Sequence, residues 1–81
     1  MYYVYILKGD KYYCGYTNDI DRRIFEHQEG KTYTTQRIGE FKLLGFFIIR
    51  TKSEAIKLER EIKKSGHIER YIKKNNFIIE I

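Results

Sequence analysis

One carboxylate in this chain falls where an amphipathic helix should be apolar. In AIKLEREIKK (55–64), Ala55, Leu58 and Ile62 mark a stripe at helical spacing, and Ile56 widens it. Glu59 lies about 40° from the centre of that stripe. An acid so placed must find a cation, a set of donors or a metal, because burying it unpaired is heavily penalised. An arginine at the rim of the core would satisfy it without any chemistry. A second group of polar residues sits in NDIDRRIFEHQ (18–28). Ile20 and Ile24 set the inward direction of that helix; His27 lies about 40° from it, Arg23 about 80°, and Arg22 nearly opposite. Arg23 and His27 are also i,i+4 neighbours, so they share a face at the edge of the core. Acid, guanidinium and imidazole are groups that hold charge and move protons. Glu54, Glu61 and the Lys63-Lys64 pair fall on outer or flanking faces and read as solvating charge.

The third concentration is of phenols. The stretch YYVYILKGDKYYCGYT (2–17) holds six of the eight tyrosines. YYVYIL and KYYCGY are strand formers around Lys8-Gly9-Asp10, so they read as a hairpin. Loop length decides which tyrosines meet. A two-residue loop would set Tyr5 opposite Cys14 and put Tyr5 and Tyr13 on opposite faces. A three-residue loop, Gly9-Asp10-Lys11, pairs Tyr5 with Gly15 and places Tyr5 and Tyr13 on one face. Val4, Ile6 and Cys14 then share the other, which has the character of a core, so the odd-length loop is expected. Tyr2, Tyr12 and Tyr16 fall on Val4's side, as packing residues with wet hydroxyls.

These groups must be carried by a small scaffold. Eighty-one residues suffice for one domain, expected over 1–81, and for a single modest core. Sixteen Lys and Arg against eleven acids leave a net charge of +5, which favours a polyanionic partner. Cys14 is the only cysteine, so no intrachain disulfide or cysteine-based zinc site can form, in keeping with a reducing, cytoplasmic setting. The longest apolar run, LLGFFII (43–49), is too short to span a bilayer, and Lys8 and Asp10 interrupt the start where a signal peptide would need apolar residues.

After the hairpin, Asn18-Asp19 opens a helix running to about Glu29 and stopping at Gly30. A polar loop follows from Lys31 to Glu40, then a third strand from Phe41 to Arg50. Thr51-Lys52-Ser53-Glu54 fits a capping box for the second helix, which ends near Gly66. His67 to Lys74 reads as a short third helix, and FIIEI (77–81) as an apolar tail that could also be a strand. The order β-β-α-β-α-α predicts an α+β fold, a small three-stranded antiparallel sheet flanked by helices.

In this order and spacing the residues resemble the GIY-YIG nuclease domain. Tyr3-Val4-Tyr5 and Tyr13-Cys14-Gly15 look like the paired tripeptides that name the family. Thr17-Asn18-Asp19 followed by RRIFEH resembles its next segment, in which an arginine stands eight residues after the second glycine; here that is Arg23. AIKLEREIKK resembles the helix that carries the metal-binding glutamate, matching at Glu59. GHIERYIKK (66–74) is similar to the tail of the short single-domain bacterial branch, itself similar to the N-terminal nuclease domain of the excinuclease C subunit. Residues 2–74 are covered. Tyr3 stands where a glycine is usual and Cys14 where an isoleucine is, and the loop from Lys31 to Phe41 lacks a proline common in relatives.

The resemblance implies an α+β nuclease that hydrolyses nucleic-acid phosphodiester bonds with one divalent metal, Mg²⁺ or Mn²⁺. Structure-selective DNA in repair or recombination is the expected substrate. By this analogy Glu59 holds the metal, Arg23 the scissile phosphate, and Tyr5 activates the attacking water as base or by orienting it. Tyr13 bonds phosphate or water, and His27 is an alternative proton acceptor or phosphate contact. Gly15 lets backbone approach the nucleic acid, with Arg37 and Lys63, and also Lys42, Lys73 and Lys74, as phosphate contacts. Cys14 faces the core as a structural thiol. Two other readings compete. A catalytically silent nucleic-acid-binding module would keep the fold and charge but cut nothing. A protein-interaction domain would show a large exposed tyrosine patch and no clustering of Arg23 with Glu59.

Overall fold

Tyr2–Lys8 (β1) and Tyr12–Thr17 (β2) pair antiparallel, with Lys8 opposite Tyr12 and Tyr5 opposite Gly15. The loop is therefore Gly9-Asp10-Lys11, the odd length that parity required. The structure is a computed structural model and describes residues 1–29, 41–74 and 76–79. Gly30, the polar loop of 31–40 with Arg37, and the last two residues of the tail lie outside the described residues.

Asp19 caps the first helix, Ile20–Gln28 (α1), by accepting from the Arg22 N–H at 3.1 Å. Lys42–Ile49 (β3) returns to pair antiparallel with β1. Thr51 caps Lys52–Ser65 (α2), its hydroxyl accepting from the Glu54 N–H at 3.2 Å. That helix stops at Gly66, whose φ of 69° suits a residue without a side chain. Ile68–Ile72 (α3) is shorter than the eight residues expected.

The sheet has four strands rather than three, in the order β2-β1-β3-β4, because the tail supplies Phe77–Ile79 (β4). β4 pairs with β3 so that Gly45 meets Ile79 and Phe47 meets Phe77, and the two Phe rings pack with centroids 4.9 Å apart. Three residues are too few for periodicity to reveal. Gly45 makes the pairing possible, since a Cβ there would lie 2.1 Å from the Ile78 carbonyl oxygen.

β1 is the central element, and Val4 through Leu7 are all fully buried. Only a strand covered on both faces buries consecutive residues. Val4, Ile6, Cys14 and Phe47 meet Ala55 and Ile62 of α2 and Tyr71 of α3 on one side. Tyr5 and Leu7 meet Ile20 and Ile24 of α1, with Leu43 and Phe46, on the other. The face of Tyr5 is thus a second core, not an open surface. A register shift helps to build it: Ile6 opposes Gly45 but Leu7 opposes Leu43, so Leu44 is an extra residue on β3. The bulge turns Leu43 to the side of Leu7. Among the described residues no helix is long and apolar enough to cross a membrane.

Candidate active site

β2 is an edge strand, with α1 on one face of the sheet and α2 on the other. Beside it opens a cleft of about 350 Å³, lined by Tyr13 and Tyr16 of β2, Arg22 and Arg23 of α1, and Lys52 and Glu59 of α2; Tyr2, Thr17 and Asn18 complete it. Groups that start on opposite faces can meet only around such an edge. Tyr13, Arg23 and Glu59 do so.

Behind the cleft wall lies a buried hydrogen-bonded chain. The Arg23 Nε–H donates to the Tyr5 hydroxyl at 3.2 Å, and that hydroxyl lies 3.0 Å from His27 Nε2. The Tyr5 oxygen accepts from Arg23, and its hydroxyl donates to Nε2 in the neutral His27 tautomer that carries its hydrogen on Nδ1. The acid–base balance agrees. Burial lowers the His27 pKa, and the Arg23 charge lowers it further, so the ring is neutral near pH 7. Burial likewise holds the Tyr5 phenol well above the ordinary tyrosine range, although the Arg23 hydrogen bond pulls it back. Arg23 also touches Glu26 at 3.5 Å, and its side chain remains 37% exposed, so part of the guanidinium faces the cleft.

Tyr5, expected at the attacking water, is instead enclosed. Its hydroxyl bears on the cleft through Arg23. Gly15, expected against nucleic acid, is buried as well. A Cβ on it would fall 2.6 Å from the Tyr5 hydroxyl oxygen, 2.8 Å from Tyr5 Cζ and 3.1 Å from Tyr13 Cε2. The missing side chain makes room for the two phenols. Tyr5 and Tyr13, 6.2 Å apart, and His27 form an aromatic cluster with Phe41.

Glu59 is mostly withdrawn, with 15% of its side chain exposed. Among the described residues its ion-pair partner is not an arginine but Lys63, one turn on, whose Nζ lies 3.3 Å from Oε1. The same ammonium lies 5.4 Å from the centre of the Tyr13 ring. Lys63, read from the sequence as solvating charge or a phosphate contact, therefore sits at the acid. Among the described residues no three of His, Cys, Asp and Glu gather as a metal cage. One carboxylate in an open, polar cleft nevertheless fits Mg²⁺, which takes one or two carboxylates and keeps several waters. Cys14, on β2, is buried in the core beneath α2, and burial first, then the Glu59 charge, push its thiol up to about 12.

The cleft also holds residues that sequence reasoning passed over. Lys52 enters because Thr51 starts α2 beside the ends of β1 and β2, and Arg22 because the cleft lies on the flank of α1. Lys52 carried no periodic signal, and the helical wheel turned Arg22 away from the core.

Comparison with known proteins decides the family. The family model described as the GIY-YIG catalytic domain matches residues 1–76. The chain belongs to the GIY-YIG family. This GIY-YIG domain is 46% identical over 66 residues to the UPF0213 protein BH0048 of Halalkalibacterium halodurans, covering 76% of this chain and 69% of that one. It is 45% identical over 67 residues to the UPF0213 protein H16_B0156 of Cupriavidus necator, covering 78% and 72%. The solution NMR structure of the UPF0213 protein BH0048 from Bacillus halodurans shares its fold, with a TM-score of 0.53 at 36% identity over 91% of this chain and 86% of that one. Membership of a nuclease family and an α+β fold are thereby established for this GIY-YIG domain.

Proposed function

We propose that this domain is an active, metal-dependent endonuclease that hydrolyses nucleic-acid phosphodiester bonds, acting on structured or single-stranded DNA in the cytoplasm. The observation that carries this reading is the meeting of Tyr13, Arg23 and Glu59 in one polar cleft, with Tyr5 and His27 behind Arg23. Arg23 is assigned to the scissile phosphate: its Nε is committed to Tyr5, which orients the rest of the planar donor fork. Glu59 is assigned to a divalent cation, which when bound would polarise a phosphoryl oxygen and offset its charge. Tyr13 is the phenol that a water or phosphate in the cleft meets. Tyr5 and neutral His27 brace Arg23 from behind, the Tyr5 hydroxyl accepting from Nε–H and lying 3.0 Å from His27 Nε2. Arg22 and Lys52 add positive charge for the flanking backbone, and Lys42, Lys73 and Lys74 are exposed enough for further phosphate contacts. A role in DNA repair or recombination accords with that chemistry.

A silent binding module has no use for a withdrawn acid beside a tethered arginine. The protein-interaction reading is also disfavoured, because every tyrosine among the described residues is at least partly buried and Arg23 shares the cleft with Glu59. The test is a panel of branched, flapped, single-stranded and duplex DNA and RNA with Mg²⁺ or Mn²⁺, repeated with EDTA. Glu59→Ala is expected to lose cleavage while retaining binding. Cutting that survives this substitution removes the metal assignment, and salt-sensitive binding with no cutting of any substrate favours the silent module.

A further inference from the structure

We propose that Lys63 is a displaceable counter-ion: its ammonium holds the Glu59 carboxylate until a divalent cation arrives, and is then released toward the substrate's phosphates. The inference rests on the assignment of Glu59 to a cation and adds a competitor built into the same helix turn. Three observations carry it. The Glu59 carboxylate is largely withdrawn from water, so some positive charge must accompany it, and among the described residues the contact that meets this need is Lys63 Nζ at 3.3 Å. The pair is loosely held, because the lysine is half exposed and its stem has four rotatable carbons. There is also somewhere for it to go. Beyond Tyr13 a second hollow of about 300 Å³ is lined by Lys63 itself, with Tyr12, Ile62, Ile68 and a second acid, Glu69, that can receive the ammonium.

Cation and ammonium therefore compete for one carboxylate. The remaining positive groups of the cleft, Arg22, Arg23 and Lys52, come from other positions on the wall, and none is ion-paired with Glu59 among the described residues. Lys63 lowers cation affinity, and in exchange keeps the acid from being stranded when no cation is bound. A half-exposed i,i+4 pair is worth a factor of about two to five in such a competition.

The test is calorimetric titration of Mn²⁺ and of Mg²⁺ into the intact, substrate-free chain. Lys63→Met should bind two- to fivefold more tightly than the unaltered protein, and Lys63→Gln, a more soluble replacement, should do the same. Lys63→Arg, which keeps a cation beside Glu59, should bind no more tightly. Lys64→Met removes an equal charge from the next, exposed position and should leave the affinity unchanged. Equal affinity for Lys63→Met, Lys63→Gln and the unaltered chain, or an equal gain from Lys64→Met, overturns the proposal while leaving Glu59 as a cation ligand. If Glu59→Gln binds as well as the unaltered chain, or no protein binds either ion, the cation assignment falls first and takes the counter-ion role with it.

Discussion

Gly15→Ala inserts one methyl group between the two phenols of the site. The new carbon would start 2.6 Å from the Tyr5 hydroxyl oxygen and 2.8 Å from Cζ, whereas ordinary contact begins at 3.4 Å. The phenol must therefore retreat by about 0.8 Å in a core where Tyr5 is fully buried. It cannot do so freely, since its oxygen is held at 3.2 Å by Arg23 and at 3.0 Å by His27. Overpacking costs about 1–3 kcal/mol, and each weakened buried hydrogen bond adds about 1 kcal/mol. A loss of about 2–4 kcal/mol is expected, which in a domain of this size lowers Tm by roughly 10–25 °C. Urea unfolding measures the loss. The path of the strain is checked by adding Tyr5→Phe: with the nearest atom gone, the double variant should cost less than the sum of the singles by about 1 kcal/mol. Gly15→Ala within about 0.5 kcal/mol of the unaltered protein would refute the steric argument. Strict additivity in the cycle would show that the hydroxyl is not where the strain goes.

The remaining outcomes concern the same chain of groups. Because His27 is held neutral, with a folded pKa below its unfolded value, the unfolded state binds the extra proton first. Stability should therefore be complete above about pH 7 and fall as the pH drops through the folded pKa, and His27→Gln should flatten that slope in urea titrations at stepped pH. An unchanged slope would place the titration elsewhere. Arg23→Lys keeps the charge but cannot give one nitrogen to Tyr5 and a fork to phosphate; cleavage should fall about a hundredfold while stability changes by only about 1 kcal/mol, and equal activity would remove the fork from the mechanism. With its thiol pushed up to about 12, Cys14 carries only about one thiolate in ten thousand at pH 8, so a thiol-exchange reagent should label it only at the rate at which the domain opens. Prompt labelling of the folded protein would contradict its place in the core.

Much of this protein is legible in local pattern. The parity of the hairpin set Tyr5 opposite Gly15, and the helical wheel chose Arg23 over Arg22 and turned His27 inward, because period-2 and period-3.6 spacings are properties of the backbone alone. The withdrawn position of Glu59 followed from the same spacing. Other features needed the folded chain. That β1 is buried on both faces, that Phe77–Ile79 joins the sheet at Gly45, and that Leu44 bulges depend on which elements pack together. So does the enclosure of Tyr5, and with it the use of Gly15 as space for a ring rather than for a ligand. The partner of Glu59 was one turn away in the sequence, yet periodicity read Lys63 as solvating charge, since spacing gives the direction of a side chain but not what lies within its reach. Local sequence thus determined which groups point where along each strand and helix; the tertiary structure alone decided which of them meet, because the cleft forms around the edge of β2, between elements that have no contact until the sheet is built.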